Sequence, residues 1–215
     1  MIRIASKHLF VAALVFATGP GPGASAFAAD AAQTTEIAHW PCKAPYKETL
    51  TPEEIWGGTP PAADGDWHRD EGVRKLVTYV TSPETAPASG RQAIADLAKQ
   101  TGDAAQREHT LALAFRGMVD ETNVLRHALL AGIRNSTIRG VILGDAVKED
   151  DKMMAELPKT AESEARRQDI KAARRFNFRN KDDAEDEADF LCYRVGYVEK
   201  KLRALTDQVR HEVGG

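Results

Sequence analysis

The sequence predicts an all-α protein, an elongated antiparallel helical bundle with a disulfide-tethered N-terminal segment. Three observations predict it. Apolar residues recur at helical spacing along most of the chain beyond residue 66, and no stretch reads as a strand. Leu191, Val195, Val198, Leu202, Leu205 and Val209 alternate spacings of four and three, the heptad seam of a coiled coil. Only two cysteines occur, Cys42 near the start of the folded part and Cys192 in the last predicted helix.

Taken in order, residues 1–28 read as a secretory signal peptide. Arg3 and Lys7 form a basic region, Leu9 to Ala17 an apolar run, and a Gly/Pro-broken segment follows. The small-x-small patterns Ala24-Ser25-Ala26 and Ala26-Phe27-Ala28 are cleavage sites, and the second leaves a mature chain starting at Ala29. The apolar run is about half the roughly 20 residues that span a bilayer, so the sequence predicts no stable membrane anchor. No Cys marks the cleavage point and no twin-Arg pair precedes the run, which predicts a periplasmic protein secreted unfolded across the inner membrane.

An oxidising compartment makes a Cys42–Cys192 disulfide the natural reading, with one or two reactive thiols as the alternative. The bridge would close a loop of about 150 residues, for which chain entropy allows about 5 kcal/mol at most. Neither CxxC nor CxxCH occurs, which removes the usual warrants for dithiol redox chemistry and haem attachment.

Residues 29–65 are expected to form an N-terminal segment with one short capped helix. Thr51-Pro52-Glu53-Glu54 is a capping box with proline at the first helical position, and Gly57-Gly58 stops the helix at once. Ile55 and Trp56 then act as apolar plugs against the main body. Residues 66–215 are expected to form the helical domain. A helix is predicted from Asp66 to Thr81 on the spacing of Trp67, Val73, Leu76, Val77 and Val80, with Gly72 a weak point. A short helix follows from Arg91 to Gln100. Asp103 and Gln106 cap the longest periodic stretch, whose stripe Leu111, Phe115, Met118, Leu125, Leu129 and Ile133 extends towards Val147. After Pro158 the sequence predicts a polar helix of about 20 residues and then a separate last helix carrying the heptad seam.

Charge narrows the function. The chain carries 29 basic and 32 acidic residues, and loss of Arg3 and Lys7 takes the formal charge from −3 to −5. That balance offers no global field for nucleic acid or an anionic membrane. The mean hydropathy of −0.42 fits an elongated shape.

Few motifs carry chemistry. Glu36 and His39 have the i, i+3 spacing of a helical carboxylate metal site but no second copy. His109 and His127 share a helix face about 27 Å apart, too far to hold one ion. Asp207 and His211 read as an ordinary surface pair near a helix C-terminus. Arg166, Arg167, Lys171, Arg174, Arg175, Arg179 and Lys181, interleaved with Phe176 and Phe178, superficially resemble a nucleic-acid patch, but export argues against one. Asp182, Asp183, Glu185, Asp186, Glu187 and Asp189 follow directly, and the two blocks are expected to pair with each other, within the molecule or between molecules. The acidic block lacks the glycine and alternating spacing of an EF-hand loop. No G-x-S-x-G elbow and no Gly-rich phosphate loop occurs, so the sequence names no catalytic residue and no cofactor.

The signal segment, Trp40-Pro41-Cys42, the Thr51 to Trp56 capping segment and the charged helical remainder together resemble small exported helical proteins of proteobacteria that lack an assigned function. The resemblance covers mainly residues 40–80. It implies a periplasmic location and supplies no catalytic residues. The sequence thus points to a non-enzymatic periplasmic interaction or accessory protein whose partner is another periplasmic protein, with Arg166, Arg167, Arg174, Arg175, Phe176 and Phe178 as the interaction residues. The alternative is a periplasmic metal-binding or metal-sensing protein using His and carboxylate side chains.

Overall fold

In the computed structural model, residues 39–214 are described, and the signal-peptide reading and Glu36 lie outside them. Among the described residues every regular element is helical: α1 (Pro52–Trp56), a 3-10 turn (Trp67–Arg69), α2 (Glu71–Thr81), α3 (Pro87–Gln100), α4 (Ala104–Glu156) and α5 (Ala161–Gly214). The predicted all-α class and antiparallel arrangement are what the chain adopts. No described helix is long and apolar enough to cross a membrane.

The frame is a hairpin of α4 and α5, with 53 and 54 residues, each about 80 Å long at 1.5 Å per residue. The Asp103 carboxylate opens α4 by accepting from the Gln106 amide at 2.9 Å, as its spacing predicts. The helix runs past Val147 to Glu156. Arg167 closes it from the other side of the turn, donating to the carbonyls of Met154 and Leu157.

Three predictions differ. The polar helix after Pro158 and the seam helix are one continuous α5, because no glycine or proline interrupts residues 161–195. The helix expected from Asp66 starts at Glu71, since the Asp70 carboxylate accepts from the Val73 amide and Asp66 instead caps the 3-10 turn. Pro87 at the first helical position starts α3 one turn before Arg91.

One end of the hairpin is wrapped by the short helices. Val73, Val77 and Val80 of α2, Ile94 of α3, Leu111, Phe115 and Met118 of α4, and Leu202, Leu205 and Val209 of α5 form a single buried cluster. Gly117 lies so close to the Trp67 ring and Val77 that a Cβ would come within 2.8 Å of both. Ile55 and Trp56 dock α1 onto this end as anticipated, with the Trp56 ring 5.0 Å from Phe115. Gly57, at φ 77, gives α1 the left-handed cap that ends it.

A second cluster lies further along the hairpin, built from Leu129, Leu130, Ile133, Val195 and Val198. The N-terminal strap packs over it through Trp40, Cys42 and Tyr46. The disulfide expected from the sequence is present between Cys42 and Cys192, with Cα atoms 5.4 Å apart.

Candidate functional site

Beyond Ile133 and Leu191 neither hydrophobic cluster continues towards the turn. What extends is a two-helix arm, residues 134–156 of α4 and 161–190 of α5. The helices approach through small residues: a Cβ on Gly140 would lie 3.9 Å from the Ala184 Cβ. Polar bonds fix the register, Ser136 to Glu187 at 2.9 Å and Asn177 to Asp150 at 3.0 Å. With few apolar atoms between them, the helices leave large side chains in water on several faces, Ile142 at 63% and Phe176 at 58% exposure, and Ile138, Val141 and Phe178 exposed as well. Single exposed apolar side chains are ordinary on a protein surface. Several on a two-helix arm that lies beyond both hydrophobic clusters make the arm the candidate contact element.

The structure divides the six residues singled out for interaction. Arg167 is engaged with the end of α4, and Arg174 forms a forked pair with Asp151 through bonds of 2.5 and 3.2 Å. That pairing holds the Asp151 carboxyl below its ordinary range. Arg166, Arg175, Phe176 and Phe178 are exposed. The pairing expected between the basic and acidic blocks is made once, by Lys181 and Glu185 one turn apart at 2.6 Å. Glu187 turns instead to Arg139 of α4 at 2.8 Å.

The strap forms a second distinctive region. It covers a groove of about 660 Å³ lined by Trp40, Cys42, Leu130, Tyr193 and Glu199. Sequence reasoning missed what holds it down. Arg126 is 1% exposed and uses its whole guanidinium there: Nε donates to Glu199 at 2.8 Å, and the terminal nitrogens donate to the carbonyls of Glu48 and Lys47 at 3.0 and 2.8 Å. Asn123 pairs with both backbone groups of Leu50 at 2.9 Å. Arg210 donates to the carbonyls of Ile55 and Trp56. A signal existed, since Arg126 lies three residues before Leu129 and seven before Ile133, at a buried phase of the stripe.

The histidines serve local roles. His109 bonds the Asp64 carbonyl at 3.0 Å, His127 the Thr49 hydroxyl at 3.3 Å, and His211 approaches Glu212 rather than Asp207. Asp207 takes Arg210 at 3.0 Å. Among the described residues no three His, Cys, Asp or Glu side chains converge where they could hold a metal ion. No protein-family model, curated protein or solved structure matches the chain.

Proposed function

We propose that the protein is a non-enzymatic periplasmic accessory protein that works by contact, with the α4–α5 arm as its contact element. The observation that carries this reading is the arm itself, which stands beyond both hydrophobic clusters while displaying Ile138, Ile142, Phe176 and a set of unneutralised charges. The Cys42–Cys192 bridge supports an oxidising compartment. The layout of residues 1–28 supports export.

The test is photo-crosslinking in cells from single positions. A photoreactive residue at Phe176 or Ile142 is expected to give a discrete adduct with one protein, while the same residue at Lys75 or Arg91, on the wrapped end, gives none. Equal labelling from all four positions, or no adduct from the arm, would overturn the reading.

A further inference from the structure

We infer that the outward face of α5 is self-complementary and docks a second copy of this chain antiparallel, about a two-fold axis at residues 180–181. The inference deepens the reading of the arm as a contact element by naming what one of its faces meets.

Lys171, Arg175, Arg179, Asp182, Asp186 and Asp189 follow one another at spacings of four, four, three, four and three. At about 100° per residue they fall within one sector of roughly 80°, on the side of α5 turned away from the buried Ile170, Ala184, Ala188 and Val195. None of the six side chains makes an ion pair or hydrogen bond within the described residues. All are exposed except Lys171, which is half-buried.

Their own helix cannot neutralise most of them. The positions three and four away from Lys171 are Arg167, Gln168, Arg174 and Arg175, and those around Arg175 are Lys171, Ala172, Phe178 and Arg179. Around Asp186 stand Asp182, Asp183, Asp189 and Phe190, and around Asp189 stand Glu185, Asp186, Cys192 and Tyr193. Only Arg179 has a carboxylate in reach, at Asp182 or Asp183. Like charges at this spacing weaken a helix, so the stripe stores repulsion that an oppositely patterned surface would relieve.

That surface is the same stripe reversed. Pairing α5 with its copy so that residue numbers sum to about 361 sets Arg179 against Asp182, Arg175 against Asp186 and Lys171 against Asp189, and symmetry repeats each pair. A parallel pairing would set cation on cation and carboxylate on carboxylate. Self-complementarity of this kind is what a two-fold interface requires. Phe178 and Phe190, 46% and 56% exposed, flank the stripe on opposite sides and would each lose water on docking.

The experiment is sedimentation of the purified chain over a range of concentrations and salt. A monomer–dimer equilibrium that weakens with added salt is expected, because exposed ion pairs are screened. The double variants Arg175→Glu/Arg179→Glu and Asp182→Arg/Asp186→Arg should each raise the dimer dissociation constant at least about tenfold with unchanged helix content. Mixing the two variants should restore a one-to-one dimer, since every reversed pair becomes complementary again. A wild-type chain that stays monomeric, a dimer indifferent to both reversals, or a mixture that stays monomeric would each overturn the inference. A monomeric chain that still gives the Phe176 adduct with another protein would remove self-pairing and leave the contact reading standing.

Discussion

Arg126 shows how one side chain can organise a segment that has no secondary structure of its own. Its two bonds to the strap, with those of Asn123, supply partners for carbonyls and an amide that an irregular segment would otherwise bury unpaired. Arg126→Met would keep the volume and strand the partners, including Glu199. A loss of about 2–4 kcal/mol in urea unfolding is expected, with Arg126→Lys in between because an ammonium lacks the fork. Lys201 gives the second residue-scale prediction. It is 4% exposed and donates to the Ser82 carbonyl at the C-terminus of α2 at 2.6 Å, and it makes no ion pair among the described residues. Burial pushes its pKa below the ordinary 10.5. The unfolded chain therefore binds this proton more tightly than the folded one, and stability rises as pH climbs from the folded value towards 10.5. Comparing unfolding free energies at about pH 8 and about pH 10, the wild type should gain relative to Lys201→Met, in which no such proton exists. Equal slopes would show that the ammonium is fully compensated where it sits.

At the scale of elements, two glycines in the long helices should respond oppositely to the same substitution. Gly117→Ala would drive a methyl into the Trp67 ring and Val77, both stiff, at 2.8 Å, and should cost about 1–3 kcal/mol despite the better helix propensity. Gly196→Ala meets nothing within 4 Å and should gain about 0.5–1 kcal/mol. Thermal unfolding of the two variants beside the wild type checks both. The same contrast shows what the sequence could reveal. Caps at Thr51 and Asp103 were legible because each is a local bond from a nearby amide to a side chain, and the stop at Gly57 because only glycine takes the left-handed turn without cost. The seam from Leu191 to Val209 was legible because burial on one face imposes a period. The length of α5 was misjudged because a change from polar to apolar composition looks like a boundary, although only a backbone obstacle makes one. Arg126 and the strap it holds were missed for another reason: 78 and 79 residues separate it from the carbonyls it meets, and no period encodes such a pairing. The charge stripe was half legible, as two blocks, and it took the continuity of α5 to bring them onto one outward side.

For the molecule as a whole, the disulfide and the polar latch divide the work of keeping the strap in place. The bridge spans 150 residues, and its removal in Cys42→Ser/Cys192→Ser should lower stability by about 2–5 kcal/mol. Wild type unfolded in reductant should match that variant. Its circular dichroism in native buffer should stay close to that of the oxidised chain, because the hairpin and the cluster at its wrapped end need no covalent help. A loss of helix on reduction would instead mean that the strap nucleates the frame. The bridge also carries an order in time. A chain is made from its N-terminus, so Cys42 exists as a lone thiol for roughly 8–30 s before Cys192 follows at ordinary synthesis rates. Through that interval the first sulfur can only wait or react wrongly, and the strap has only the α4 half of its surface until the last helix is complete. The bond that ties the strap down therefore has to wait for one of the last parts of the chain to be made.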